Sequence, residues 1–387
     1  MPEPSATREL LGQLIAFDTT SRNSNEPLIE FVEDYLGALG VPAVRVDYQP
    51  GKTNLWATIG PDIAGGIVLS GHTDVVPVDG QAWTSDPFSA VERAGKIYGR
   101  GTADMKGFLA ACLALVPEFL GKPLKRPIHL AFSCDEEVGC TGVRPLIERI
   151  VAGDLPRPSA AIIGEPTLMK VVNGHKSTLS FVTEVEGHEA HSSLSHQGVN
   201  AIMVAGELIS EITAIAGEMR QRGDPTGRFD PPYSSVHIGT ISGGTARNIV
   251  PRCCTFHWET RIIPGQDPDE IPERLDRLAE TLLPAMQAVS PTTGITTRRK
   301  NIVPPLMPVP GSPAEALALQ LTGGNDTGAV SYGTEAGLFQ VAGIPAVICG
   351  PGSIEQAHKP DEFVAVSELE RCEGFLRRLA EYCTRAV

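Results

Sequence analysis

The chain has 387 residues, 42% of them hydrophobic, which is enough for a large buried core and more than one domain usually contains. Its 46 acidic residues outnumber 32 basic ones, and the formal charge of −14 repels phosphate backbones and anionic lipid, which argues against nucleic-acid and membrane partners. Residues 1–17 carry charges at Glu3, Arg8 and Glu9 where a secretory signal needs an unbroken apolar core, and the eight cysteines show no repeated C-x-x-C spacing, so a cytoplasmic protein with reduced thiols is expected.

From Ile67 the chain alternates short apolar runs with helical stretches, the pattern of β-α units in a parallel sheet flanked by helices. The runs cover residues 67–69, 128–132, 160–163 and 346–349. Each is followed by groups able to bind a metal or move a proton, and ligands of open parallel sheets bind beyond the carboxyl ends of the strands. After the first run, Ser70-Gly71-His72-Thr73-Asp74 sets an imidazole and a carboxylate two residues apart. Asp74 there can hold the non-ligating nitrogen of His72, although the pair alone also fits a surface or capping arrangement.

Next, Gly99-Arg100-Gly101-Thr102-Ala103-Asp104-Met105-Lys106-Gly107 precedes an apolar helix expected over 108–120. A dinucleotide loop is disfavoured, because the third glycine is missing and Asp104 would turn negative charge on a pyrophosphate. Metal binding and helix capping by Asp104 both remain open. Ser133-Cys134-Asp135-Glu136-Glu137 then places three acids in a row at a strand end. Such a run is either a solvated loop or a pair of working glutamates, one for a metal and one for the water beside it. Cys134 and Cys140 flank it as redox-sensitive thiols or as buried filler. Gly164-Glu165-Pro166-Thr167 adds another carboxylate.

Residues 176–302 read differently. Apolar residues alternate along 179–185, 236–241 and 255–263, with helical stretches near 199–220 and 269–288. The order strand, helix, strand, strand, helix, strand predicts a small antiparallel sheet with helices on one face, an α+β ferredoxin-like domain inserted into the first. The Pro-rich stretch 303–313 returns the chain to the first domain, which comprises residues 1–175 and 303–387, and Gly350-Pro351-Gly352-Ser353 leads to His358. Spacing agrees with insertion: His72, Asp104, Glu137 and Glu165 follow one another at intervals of 32, 33 and 28 residues, while His358 lies 193 residues beyond Glu165. Removing the 127 residues of the insert leaves 66, about two β-α units. Two imidazoles and three carboxylates suit a pair of borderline divalent ions such as zinc or cobalt better than magnesium. Without cations, the converging acids would repel one another at considerable cost.

Together these motifs resemble the two-metal aminoacylase and carboxypeptidase superfamily, and within it the branch that deacetylates N2-acetyl-L-ornithine. The resemblance runs over nearly the whole chain. It is carried most specifically by Gly95-Lys96-Ile97-Tyr98 leading into Gly101-Thr102-Ala103-Asp104-Met105-Lys106-Gly107, by Ile163-Gly164-Glu165-Pro166-Thr167, and by Gly350-Pro351-Gly352-Ser353-Ile354-Glu355-Gln356-Ala357-His358.

The resemblance implies an amidohydrolase that releases L-ornithine and acetate in arginine biosynthesis, using two divalent metal ions. By it, Asp104 bridges the metals, His72 and Glu165 complete one site, and Glu137 and His358 complete the other. Asp74 supports His72, and Glu136 is the general base that deprotonates the bridging water and then protonates the leaving amine. The insert is expected to act as a dimerisation and lid domain of a homodimer. Its His191, in a Gly-x-x-x-His pattern from Gly187, is expected to reach the partner's active site and stabilise the oxyanion. Asn248 and Arg261 resemble elements that bind the substrate carboxylate, and Glu335 is a candidate for the substrate amine. Read from the residues alone, His191 is also a surface histidine, Arg261 a strand-face ion pair and Glu335 a helix-start carboxylate. A desuccinylase acting on N-succinyl-diaminopimelate, an aminoacylase and a dipeptidase are the neighbouring alternatives. An inactive small-molecule-binding or scaffold homologue is the alternative of another class, disfavoured by the intact ligand set and Glu136.

Overall fold

The computed structural model describes residues 5–385, so Glu3 of the N-terminal charges lies outside it. Contacts divide the chain into two compact units: one holds the described residues up to Gly174 together with Leu306–Gly328 and the chain from Thr334 onward, and the other holds His175–Pro305 and Ala329–Gly333.

The four apolar runs of the first unit form the strands Ile67–His72, Ile128–Ser133, Ala160–Pro166 and Ala346–Gly350, buried along their whole length. Continuous burial is what a parallel sheet covered on both faces requires. The spatial order Ile128–Ser133, Ile67–His72, Ala160–Pro166, Ala346–Gly350 makes every neighbouring pair parallel, with all four carboxyl ends on one edge. Two strands that the sequence reading did not single out, Lys52–Ile59 and Ala43–Gln49, extend the sheet antiparallel beyond Ile128–Ser133. The helices Ala6–Ile15, Gly107–Ala114 and Val366–Cys383 contribute Leu10, Leu14, Phe108, Leu109, Phe375 and Leu379 to one core with the sheet. The helix expected over 108–120 is instead two, Gly107–Ala114 and Val116–Leu120, consistent with Pro117, which has no N–H to continue the first.

Two glycines set how closely strands and helix approach at the functional edge. A Cβ on Gly164 would lie 2.1 Å from the Phe108 ring, and one on Gly350 would lie 1.9 Å from the carbonyl oxygen of Gly164. Neither position has room for a side chain.

In the second unit the antiparallel strands run Ser235–Gly243, Cys253–Ile262, Ser177–Glu186, Gly294–Val303 in space. The helices Ala201–Arg222 and Glu270–Val289 supply Leu208, Ile212, Ile215, Ile271 and Leu275 to a separate core. Strand Cys253–Ile262 alternates in burial, and its Trp258 stacks on Phe181 with ring centroids 4.1 Å apart. All eight cysteines are free thiols, only Cys253 being exposed. Among the described residues, no helix is long and apolar enough to cross a membrane.

His129, in strand Ile128–Ser133, is fully buried, stacks on Trp56 at 4.7 Å and lies 3.0 Å from Thr58 Oγ1. Burial without a charged partner pushes its pKa down to about 4. The unfolded chain therefore binds a proton that the folded one refuses as pH falls from about 6.5 toward 4, and stability must drop across that window. Replacing His129 by Phe should remove roughly 3 kcal/mol of this acid-side loss. Denaturant unfolding at pH 7 and pH 4.5 checks it, and an unchanged pH slope in the variant would refute the assignment.

Candidate metal centre

Strand Ile67–His72 ends on an imidazole that is 1% exposed. His72 Nδ1 donates to the main-chain carbonyl of Asp74 at 2.8 Å, which orients the ring and turns Nε2 toward the cluster. That nitrogen lies 3.1 Å from Asp104 Oδ1 and 3.9 Å from Glu165 Oε1. The expectation that the Asp74 carboxylate holds this ring is corrected: its nearer oxygen is 3.6 Å from Nδ1, and the carbonyl makes the bond. The carboxylate instead accepts main-chain N–H bonds from Glu136 (3.1 Å) and Glu137 (3.2 Å) and a hydroxyl bond from Ser21 (2.8 Å). Asp74 thus fixes the ring with its backbone and the acidic loop with its side chain.

Asp104 sits in the turn before helix Gly107–Ala114, and its carboxylate lies between two imidazoles. Oδ1 faces His72, and Oδ2 is 3.2 Å from His358 Nε2. The same His358 nitrogen is 3.1 Å from Glu137 Oε2. Ligand atoms of His72, Asp104 and Glu137 lie within 4.8 Å of one another, as do those of His72, Glu136 and Glu165. Glu136 also receives the Cys140 thiol at 3.1 Å.

The three consecutive acids part company. Asp135, in a left-handed backbone conformation at φ 50°, turns to Lys52 at 2.6 Å and to Gln49 at 3.0 Å. Glu136 and Glu137 face the cluster. Lys52 carries no sequence signal for this role, since an isolated lysine in a strand reads as a surface residue.

The cluster is short of positive charge. Burial, then the neighbouring Asp104 charge, lifts Glu137 to about 7, and burial with the Glu137 charge lifts Glu136 to about 8. Glu165 rises well above the usual carboxylate range by burial and the charge of Asp104. Asp104 falls below that range because His358 and His72 hydrogen bond to it, overriding its burial. Hydrogen bonds to Asp104 and Glu137 raise His358 to about 10. Two imidazoles and four acids competing for protons in a water-poor cleft form a donor set suited to divalent cations, which would displace those protons.

Glu335 is placed otherwise than expected. It is 1% exposed, with one carboxylate oxygen accepting from Ser70 Oγ at 3.0 Å and the other from Ser133 Oγ. Each oxygen thus holds a serine hydroxyl at a strand end, a support role that the reading of Glu335 as a receiver of the substrate amine did not include.

In the second unit, His191 is exposed, and its Nδ1 accepts the main-chain N–H of Ser193 at 3.2 Å. A neutral His191 therefore carries its proton on Nε2. The exposed Asn248 accepts the N–H of Ser192 with its main-chain carbonyl at 3.0 Å, joining the two loops. Arg261 pairs through Nε with Glu259 at 3.2 Å and reaches Thr178 Oγ1 at 3.4 Å, a strand-face pair whose partners are about one-third exposed.

A cluster of imidazoles and carboxylates at the carboxyl ends of parallel strands fits the metal-dependent hydrolases of amide bonds, and the family match places the chain among them. Residues 68–382 match Peptidase family M20/M25/M40, and the chain belongs to that family. It is similar to the acetylornithine deacetylase of Myxococcus xanthus, 37% identical over 392 residues and covering 98% of each chain. The acetylornithine deacetylase of Proteus mirabilis is 35% identical, with 96% of this chain and 95% of that one covered. The M20 family metallo-carboxypeptidase Sso-CP2 from Sulfolobus solfataricus shares the fold at a TM-score of 0.75 and 20% identity, over 98% of this chain and 100% of that one.

Removing one partner of the buried pair leaves a charge without compensation. Lys52→Met should cost about 3–5 kcal/mol in denaturant unfolding, and adding Asp135→Asn should recover most of it. A loss below about 1 kcal/mol in the single variant would show the pair to be incidental.

Proposed function

We propose that this protein deacetylates N2-acetyl-L-ornithine to L-ornithine and acetate in arginine biosynthesis, with two divalent ions, zinc or cobalt, in the cluster. The observation that carries the reading is the Asp104 carboxylate lying between His72 Nε2 and His358 Nε2, with Glu136 and Glu165 grouped about the same His72. His72, Glu165 and Asp104 would hold one ion, and Glu137, His358 and Asp104 the other. Bound there, the ions would acidify the attacking water and polarise the acetyl carbonyl.

Everything else falls to the chain's own residues. Glu136 takes a proton from the attacking water at its carboxylate and delivers it to the departing amine nitrogen. The Cys140 thiol fixes one oxygen of that carboxylate, and the N–H of Glu136 is tied to Asp74. His191, with its proton on Nε2, donates to the developing oxyanion from a second copy of the chain in a homodimer. Arg261 and Asn248 would take the substrate carboxylate, Arg261 by exchanging Glu259 for it. The names of the curated relatives, acetylornithine deacetylase, support this choice of substrate.

N-acetyl-L-ornithine should give the highest kcat/KM in a panel with N-succinyl-diaminopimelate, other N-acyl amino acids and dipeptides. A better rate on any of these would overturn the substrate assignment. Glu136→Gln should lower kcat about 10²–10⁴-fold with metal content unchanged. Retained turnover would remove Glu136 from the role of base.

His191→Ala should lower kcat about 10²–10³-fold. Mixing it with Glu136→Gln chains should restore activity, because one active site of each mixed dimer then has both groups. Failure of the mixture to exceed its parts would place His191 outside the reaction of a neighbouring chain.

A further inference from the structure

Beside the cluster, Arg100 and Glu362 form an ion pair closed to water. Arg100 NH1 donates to Glu362 Oε2 at 2.6 Å, and each residue is 1% exposed. Taking both charges out of water carries a desolvation cost that their attraction only partly offsets. The remaining bonds of the pair show what it holds. Glu362 Oε1 accepts the consecutive main-chain N–H groups of Ala103 at 2.9 Å and Asp104 at 3.1 Å. Arg100 NH2 donates to Gln81 Oε1 at 2.6 Å, and Gln81 Nε2 donates to the main-chain carbonyl of His358 at 2.9 Å. An unbroken series of hydrogen bonds therefore runs from the peptide of Asp104 to the peptide of His358, whose side chains meet at 3.2 Å.

The far end needs such support. The His358 side chain is 51% exposed, whereas those of His72, Asp104, Glu137 and Glu165 are each below 10%. His358 and Asp361 both take left-handed backbone conformations, at φ 63° and 55°, which residues with side chains adopt only where their surroundings impose them. Asp361 Oδ1 accepts the N–H and the hydroxyl of Thr84, both at 2.9 Å, which ties the same segment to the loop that carries Gln81. His72 is fixed separately, through the Asp74 carbonyl.

We propose that Glu362, Arg100 and Gln81 are positioning residues that set the approach of His358 to Asp104, so that the metal position built from Asp104, Glu137 and His358 depends on them more than the position built on His72 and Glu165 does. The inference rests on the two-metal reading given above. It goes beyond that reading in making the two positions separable.

The test is zinc binding to chelator-stripped protein, read as stoichiometry and affinity of each equivalent by metal analysis after equilibrium dialysis. Wild-type protein should bind two equivalents. Gln81→Ala, which removes the bond to His358 together with the acceptor of Arg100 NH2 and Trp83 Nε1 but leaves Glu362 on the Asp104 peptide, should keep the first equivalent at wild-type affinity and weaken the second about 10–100-fold, and Glu362→Gln, which loosens a ligand shared by both positions, should weaken the second more than the first. Should Glu362→Gln fail to fold, Gln81→Ala decides alone. Two equivalents at wild-type affinity in Gln81→Ala, or equal weakening of both, would overturn the inference and leave the two-metal reading standing. A wild-type protein that binds no zinc or cobalt would overturn both.

Discussion

Carboxylates drawn together at the ends of parallel strands repel one another, and the first unit is organised around containing that repulsion. The acids near its functional edge fall into two groups. Asp74 is bonded to the N–H groups of Glu136 and Glu137, Asp135 to Lys52, Glu335 to two serines and Glu362 to Arg100, so each of these has its own partners. Asp104, Glu136, Glu137 and Glu165 have two imidazoles, one thiol and one another. With the outer acids partnered separately, the four clustered carboxylates compete with one another for two imidazoles: Asp104 is held ionised between the rings, and Glu136, Glu137 and Glu165 are raised. A cluster with that charge pattern attracts cations, and its imidazole and carboxylate donors suit divalent ones.

Sequence alone disclosed the parts of this arrangement that depend on local pattern. The four apolar runs became the four buried parallel strands because such strands read as unbroken apolar segments, and their polar sequels fell at one edge because parallel strands end together. The alternating runs at 179–185, 236–241 and 255–263 likewise fell within antiparallel strands. What stayed hidden depends on contacts between residues far apart. Glu335 looks like an exposed carboxylate at a helix start, and only the approach of Ser70 and Ser133, 265 and 202 residues earlier, makes it a buried acceptor. Nothing in Asp135-Glu136-Glu137 reveals that the first acid turns away, because Lys52 lies 83 residues upstream. The role of Asp74 was misassigned for a subtler reason: a residue two positions from a histidine can reach it with its carbonyl as well as its side chain, and sequence does not distinguish the two.

The second unit solves a different problem with a different core. Its helices and antiparallel sheet bury Phe181, Phe256 and Trp258 without any residue of the acidic cluster, so its packing and the chemistry of the first unit can vary independently. His191 lies at the surface of this unit. One main-chain N–H from Ser193 fixes which ring nitrogen carries the proton.

Placing His358 in the first unit's last segment has a consequence for how the protein is made. Strands Ala160–Pro166 and Ala346–Gly350 lie side by side, yet the whole of the antiparallel unit separates them along the chain. During synthesis, four of the five proposed metal-binding side chains emerge early, and the fifth follows only after the intervening unit has been made. If that unit collapses on its own core first, it shortens the effective loop that must close before the two strands pair. Until then the acids of the nascent first unit lack their second imidazole, so tight capture of a cation becomes a late event in the birth of the molecule, timed by its own gene order.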